Sequence, residues 1–281
     1  MVLEQVLGLG RKIHVADIGA AAIAEPPPYR TLLERGLANL SAFDADPRHR
    51  AGLLELYGDA ADVYTEVIGD GERHTIYFTA PDTGMSSLLR PSPLRLKFFN
   101  GFEAFGAVEG ETPVHTKRLD DIEGLAPIDF LKLDIQGGEL TALRHASRVL
   151  KHCVAIQLEV SFVALYENQP TFGEVDIWMR NNGYAPHCLV DLKRWSISPT
   201  IREREFRYPY NQLLEADMVY VRDPLYVSSL TEEQLIAMAL IAHYGYASPD
   251  LAVHLMLELE RRKTIGPGSA LQYAREATRS G

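Results

Sequence analysis

Ile128 to Glu139 reads IDFLKLDIQGGE, and its first half is a near-continuous apolar run, as expected of a strand buried on both faces of a parallel sheet. The run ends on an acid, Asp134, and on the pair Gly137-Gly138. A helical pattern follows from Gly138 to Leu150, with Leu140, Leu143 and Val149 on its inner side. A buried strand that passes through a glycine turn into a helix is half of a parallel crossover, so the segment predicts an α/β fold with a sheet covered by helices.

The flanking sequence repeats that alternation. Downstream, Val154 to Val160 reads as a second central strand, Phe172 to Asn181 as a helix stopped by Gly183, and Ala185 to Leu192 and Met218 to Arg222 as late strands. Upstream, Lys12 to Ile18 reads as the first strand, followed by the turn Gly19 to Ala22. Arg30 to Asn39 has helical spacing, Leu40 to Asp44 is the next strand, and Val63 to Gly69 the third. Arg73 to Thr79 alternates like an added hairpin strand after the turn Asp70-Gly71. Ala80 to Pro113 reads as irregular; its cluster of Phe98, Phe99, Phe102 and Phe105 either walls a substrate pocket or covers one side of the core.

The tail changes character. Thr231 and Gln234 form a capping box that opens a helix ending before Gly245, and Ser248-Pro249 starts a second helix running to about Lys263, with a break at Gly266-Pro267-Gly268. The first of these helices is apolar around much of its circumference, so it needs burial against the main domain or against a second subunit. The expected division is a main domain over 1–222 and a helical extension over 223–281, through which a homodimer could form.

Composition narrows the partners. A net charge of -10 over 281 residues disfavours a nucleic-acid partner, because gripping a phosphate backbone needs dense Lys and Arg. Cys153 and Cys188 are too few for a disulfide framework. The N-terminus has an early Glu4 and too short an apolar stretch for a signal peptide, and no long apolar run predicts a membrane partner. A soluble, cytoplasmic protein acting on a small molecule is expected.

In an open parallel sheet the ligand crevice lies at the carboxyl ends of the strands. After the first strand stands Asp17-Ile18-Gly19-Ala20, with one glycine where a nicotinamide-binding turn has three, and with an acid ahead of it. This disfavours a pyrophosphate, and with it an NAD-dependent oxidoreductase. A sulfonium amino acid suits the turn better, since Asp17 can face an ammonium. Asp44, at the end of the second strand, is placed for ribose hydroxyls, and Ile68-Gly69-Asp70 for the border of an adenine. Each acid taken singly also reads as a helix cap or turn residue.

Ile128 to Glu139, together with Ala155 to Pro170 (AIQLEVSFVALYENQP), Thr116 to Asp121 (TKRLDD) and Gly84 to Leu88 (GMSSL), resembles the FkbM family of S-adenosylmethionine-dependent methyltransferases over about residues 12–222. The resemblance implies a class I methyltransferase Rossmann-like fold, with a mostly parallel seven-stranded sheet whose last strand is antiparallel. It also implies S-adenosylmethionine as cofactor and methyl transfer, commonly to a hydroxyl on a sugar or natural product. The expected cofactor contacts are Asp17, Gly19, Ala20, Asp44, Ile68, Gly69, Asp70 and Asp134. The chain departs from common members at Ala20 to Ala22 and at Pro26-Pro27-Pro28-Tyr29.

A hydroxyl that accepts a methyl group must lose its proton, and Asp134 and Glu159, at the ends of neighbouring strands, are the first candidates for general base, with His115 a third. With Gln136 nearby, the two carboxylates could instead hold Mg²⁺ through hard oxygen ligands, although no metal site is expected. Structural alternatives are that Asp134 caps the following helix, that Glu159 pairs with a buried cation, and that Glu139 answers the helix dipole. Tyr166, Asn168 and Gln169 fall in a loop where substrate would enter, and Arg202 to Arg207 reads as a solvated mixed-charge segment. Two other functions remain open: N-methylation of a small molecule, and a non-catalytic, cofactor-binding assembly protein.

Overall fold

The structure is a computed structural model and describes residues 2–20, 26–46, 49–80 and 83–277. Among them are the strands β1 (Ile13–Ile18), β2 (Ala38–Phe43), β3 (Ala61–Tyr64), β4 (Arg73–Phe78), β5 (Gly110–His115), β6 (Phe130–Leu133), β7 (Ala155–Ser161), β8 (Tyr184–Arg194) and β9 (Leu213–Arg222). The helices are α1 (Leu3–Leu7), α2 (Arg30–Glu34), α3 (Arg50–Tyr57), α4 (Pro93–Leu96), α5 (Phe102–Phe105), α6 (Glu139–Arg144), α7 (Ser147–Leu150), α8 (Phe172–Asn181), α9 (Glu232–Tyr246), α10 (Pro249–Arg262) and α11 (Ser269–Ala277). None is long and apolar enough to cross a membrane, among the described residues.

Seven strands form one sheet in the order β3-β2-β1-β6-β7-β9-β8. All neighbours are parallel except β9, which runs antiparallel to both β7 and β8. This is the α/β architecture with a mostly parallel seven-stranded sheet that the sequence and its resemblance led us to expect. Every residue of β6 and β7 is buried, which is why their sequences are nearly continuous apolar runs.

One face of the sheet carries Ala16, Ile18, Leu131, Leu133, Ile156 and Leu158, packed by Leu140 and Leu143 of α6 and by Val175 and Met179 of α8. On the other face, Val15, Phe130, Ala155 and Val219 meet the C-terminal helices. The run Leu235 to Ala242 in α9 is buried at every position, so the apolar girdle of this helix is covered within its own chain, by the sheet and by neighbouring helices. Truncating one of these leucines to alanine costs about 2–5 kcal/mol. The expected box opens the helix, with the Gln234 amide donating to Thr231 Oγ1 at 3.2 Å and the Thr231 amide donating to Gln234 Oε1 at 3.0 Å.

Local expectations needed correction between residues 63 and 115. The third strand stops at Tyr64, and Ile68 makes only an isolated bridge to Lys117. β4 does not fold back on β3; it pairs antiparallel with β5 in a separate two-stranded sheet, from Arg73↔His115 to Phe78↔Gly110. The physical cause is Asp70, whose Oδ1 receives the Glu72 amide, His74 Nε2 and the Thr116 hydroxyl, tying the start of β4 to the segment after β5. The stretch expected to be irregular contains α4, α5 and β5. Two other boundaries shift: the helix read from Arg30 to Asn39 ends at Glu34, and the one read from Gly138 to Leu150 breaks into α6 and α7. Of the first turn, Ala21 and Ala22 lie outside the described residues.

Candidate active site

Side chains alternate along a strand, so residues of one parity share a face. The face beneath α9 carries Val15 then Asp17 on β1, Phe130 then Lys132 on β6 with Asp134 just beyond it, and Ala155, Gln157 and Glu159 on β7. Antiparallel β9 adds Val219, Asp217 and Glu215 in the opposite direction. The apolar members support α9, and the polar members gather at the carboxyl ends of β1, β6 and β7. Over that polar half lies a cavity of about 850 Å³ lined by Asp17, Gly19, Tyr29, Lys132, Asp134, Gln157, Lys193 and Asp217, among others.

Asp17 is buried and already partnered. Lys132 Nζ donates to its Oδ1 at 3.3 Å, and the Tyr29 hydroxyl donates to its Oδ2 at 2.6 Å. The Pro26-Pro27-Pro28-Tyr29 departure noted in the sequence thus delivers a tyrosine onto the first acid of the site. Burial by itself would discharge Lys132, but Asp17, Asp134 and Asp217 hold its ammonium above the ordinary lysine value. Gly19 has φ +90°, and a Cβ there would lie 2.0 Å from the main-chain oxygen of Asp134. The amides of Gly19 and Ala20 both donate to the Phe43 carbonyl, which seats the end of β1 on the end of β2.

The loop from Asp134 to Glu139 is held from inside. Glu139 Oε1 accepts the amides of Ile135 (2.9 Å) and Gly137 (3.2 Å), and burial pushes its carboxyl up to about 7. Gln136 sits in the left-handed region at φ +55°, a conformation that costs a non-glycine residue about 1–2 kcal/mol and needs outside support. Four contacts supply it. Gln136 Nε2 donates to Asp134 Oδ1 at 3.1 Å and to Glu159 Oε2 at 3.4 Å, its Oε1 lies 3.1 Å from the Tyr166 hydroxyl, and its main-chain oxygen accepts from Ser87 Oγ at 2.7 Å. The GMSSL and YENQP segments therefore meet at this one glutamine. Glu159 is buried, and burial together with Glu215 and Asp134 pushes its carboxyl well above the ordinary range.

The residues expected at the site separate into two groups. Asp17, Gly19 and Asp134 line the cavity, with Ala20 buried directly behind Gly19. Glu159 shares their face and accepts from Gln136 Nε2 at 3.4 Å, outside the cavity lining. Asp44 also lies outside that lining, with Oδ1 on the Asp46 amide and Oδ2 on His49 Nδ1 at 2.6 Å. Ile68 is buried. Gly69 presses on Thr116, where a Cβ would approach the threonine Cβ to 2.9 Å. Although burial opposes it, Asp70 is held down to about 2 by the Glu72 amide and His74. His115 is exposed at the end of β5.

Several acids turn out to be structural. Asp120 of the TKRLDD segment receives the amides of Arg148 and Val149 and so caps α7. Asp129 is fully buried and holds Arg11 through two bonds, Nη1 to Oδ2 at 2.6 Å and Nη2 to Oδ1 at 2.7 Å. The phenylalanine cluster forms a small core of its own, Phe99 and Phe102 packing with Leu165, Tyr166 and Leu214, and does not line the cavity. Arg202 and Arg207 stack on aromatic rings, Arg202 over Tyr208 at 4.4 Å and Arg207 over Phe105 at 5.3 Å. The Cys153 thiol is pushed up to about 12 by burial, as suits an inert thiol.

Lys132, Tyr29, Gln157 and Asp217 are cavity residues that the sequence reading passed over. Lys132 left a signal, a lone cation inside the run FLKL, and Gln157 another, a lone amide inside AIQLEV. For Mg²⁺ the donor set is wrong: the group between Asp134 and Glu159 is the NH₂ of Gln136, a hydrogen-bond donor, and no cluster of three or more His, Cys, Asp or Glu able to hold a metal occurs among the described residues.

Residues 17–186 match the methyltransferase FkbM domain, which covers Asp17, Gly19, Asp134 and Glu159 and excludes α9 to α11. A search of curated proteins gives no match. Solved structures with a similar fold include precorrin-6y C5,15-methyltransferase from Geobacter metallireducens (13% identity, 78% of this chain and 85% of that one, TM-score 0.36). Another is magnesium protoporphyrin IX methyltransferase from Synechocystis PCC 6803 with bound S-adenosylmethionine (11% identity, 79% and 76%, TM-score 0.37). At these TM-scores the weight falls on the domain match, which spans more than half of the sequence. The chain belongs to the methyltransferase FkbM family, and S-adenosylmethionine is the methyl donor that this membership brings with it.

Proposed function

We propose that the protein methylates a hydroxyl oxygen on a sugar or other small natural product, with Asp134 taking the hydroxyl proton. The observation that carries this reading is the placement of Asp134 on the cavity wall, beside Gly19, while the other carboxylate candidate lies outside the cavity lining. A cavity of about 850 Å³ falls within the usual range for small-molecule sites, roughly 300–1,000 Å³. Gly19 holds the ends of β1 and β6 in main-chain contact at the cavity wall, and the carboxylate lining of Asp17, Asp134, Asp191 and Asp217 suits a cationic cofactor, although Lys132 and Tyr29 already take both oxygens of Asp17.

When bound, the cofactor supplies an electrophilic methyl group. The protein's part is alignment and proton removal: as the new O–C bond forms and the S–C bond breaks, the hydroxyl proton passes to the Asp134 carboxylate. Glu159 is less suited to that step: it is buried outside the cavity lining, and burial together with Glu215 and Asp134 pushes its carboxyl well above the ordinary range. Its Oε2 accepts from Gln136 Nε2, which also donates to Asp134 Oδ1, so Glu159 helps to hold the glutamine that steadies the base. His115 is exposed on the separate two-stranded sheet and has no part in this scheme.

Calorimetry with S-adenosylhomocysteine, with NAD as control, tests the cofactor. Transfer of an isotope-labelled methyl group to hydroxylated and aminated sugars, with product linkage read by NMR, tests the acceptor atom. An O-methyl ether is expected. An N-methylated product would replace the hydroxyl reading, and failure to bind S-adenosylhomocysteine would leave an assembly role.

A further inference from the structure

The cavity has a second polar end, built partly from residues beyond the region that matches the family. Tyr246, the last residue of α9, donates its hydroxyl to Gln157 Oε1 at 2.9 Å, and Gln157 Nε2 donates to Asp217 Oδ2 at 2.8 Å. Asp217 and Gln157 line the cavity, and so does Gly245, next to Tyr246. The direction of this relay is fixed by chemistry. A carboxylate can only accept, so the amide NH₂ faces Asp217; the amide oxygen then faces Tyr246, which must donate. Burial pushes the Tyr246 phenol well above its ordinary value, so it keeps the proton it donates. Tyr246 is itself set by the Phe130 ring, edge-on at a centroid distance of 5.9 Å.

The relay occupies one oxygen of Asp217. The other has no hydrogen-bond partner among the described residues. Register places Asp217 opposite Glu159 on β7 and Asp191 on β8, so the strands beside it offer further carboxylates. Two lysines on this face are already engaged, Lys132 turned to Asp17 and Lys193 turned to Glu215 at 2.7 Å.

We infer that Asp217 binds the methyl acceptor, that Gln157 and Tyr246 position it, and that its free oxygen takes a hydrogen-bond-donating group, hydroxyl or ammonium, on that molecule. The inference rests on the cavity being the methyl-transfer site and adds a recognition element to it. Asp217 is then a binding residue for the acceptor, and Tyr246 and Gln157 act only through it. Through Tyr246, α9 enters substrate choice from outside the region that matches the family.

The test is binding of glucose and of glucosamine to full-length protein saturated with S-adenosylhomocysteine, followed by calorimetry or ligand-observed NMR. Glucose probes the hydroxyl source and glucosamine the ammonium source. Both should bind, glucosamine more tightly. Asp217→Asn should weaken glucosamine about tenfold and bring the two sugars close together, while S-adenosylhomocysteine affinity stays within about twofold. Tyr246→Phe should weaken glucosamine about threefold, and the double variant should be no weaker than Asp217→Asn alone, because the tyrosine acts through the aspartate. Tyr246→Phe removes one atom outside the cavity and keeps the test open should Asp217→Asn misfold. Binding of neither sugar, an unchanged preference in Asp217→Asn, or full additivity in the double variant would overturn the inference. Cofactor binding in the same titrations would leave the methyltransferase reading standing, whereas its absence from the wild type would sink both.

Discussion

A Cβ on Gly19 would stand 2.0 Å from the carbonyl oxygen of Asp134, so the turn after β1 and the turn after β6 touch main chain to main chain. The Asp134 amide also donates to the Ile18 carbonyl at 2.9 Å, which locks the contact. Gly19→Ala should therefore force the two strand ends apart. The positive φ alone costs about 1–3 kcal/mol, and the clash adds to it. The expected outcome is a lower Tm together with loss of S-adenosylhomocysteine binding by calorimetry; an alanine variant that binds normally would show that the strand ends can part without consequence.

Asp134→Asn keeps the size and one acceptor of the side chain and removes its capacity to take a proton. Turnover should fall by about 10²–10⁴, the usual contribution of a general base, with cofactor affinity nearly unchanged. Single-turnover rates beside calorimetric affinities make the comparison. Equal losses in both would assign Asp134 to holding the cofactor.

Glu139 gives a pH signature. Its folded pKa, raised to about 7 by burial, lies above the ordinary value of 4.5, so the folded state binds its proton more tightly. The resulting stability is full below pH 4.5 and is lost as pH rises through about 7. Glu139→Gln keeps an acceptor for the Ile135 and Gly137 amides and removes the titration. Denaturation at a series of pH values should show wild-type stability falling between these limits by up to ~3 kcal/mol more than the glutamine variant. Parallel curves would mean the group titrates normally.

Arg11 and Asp129 stand at the opposite end of the sheet from the cavity. Arg11→Ala leaves the buried carboxylate with the His14 amide as a hydrogen-bond donor but without its cation, and should cost about 3 kcal/mol. Urea denaturation reads the loss. Cofactor affinity, measured well below the Tm, should not move.

Much of this architecture was legible because periodicity and burial are local facts. The run from Ile128 to Leu133 supplies the central strand β6, α8 lies where its apolar spacing puts it, and α9 starts at the Thr231 box but runs past the expected stop at Gly245 to Tyr246. What the sequence hid were partnerships. Asp44 and Asp70 look like ligand-facing acids at strand ends, yet His49 in one case and Glu72, His74 and Thr116 in the other occupy their oxygens. Once the strands are paired, parity puts Lys132, Gln157 and Asp134 on one face, but nothing in a linear pattern announces that Tyr29 and Tyr246, separated by most of the chain, would both reach that face. Likewise β4 could not be paired from its alternation alone, because its partner β5, with Pro113 inside it, does not read as a strand.

The Phe130 ring is met edge-on by Tyr29 from one direction, at 6.4 Å, and by Tyr246 from the other. One hydroxyl is delivered to Asp17 and the other to Gln157. A chimera that borrowed its last helices from another protein would inherit that donor's choice of residue at position 246, and with it a rewired pocket floor. Exchange of the tail is thus a route by which relatives sharing the same catalytic strands could diverge in diet.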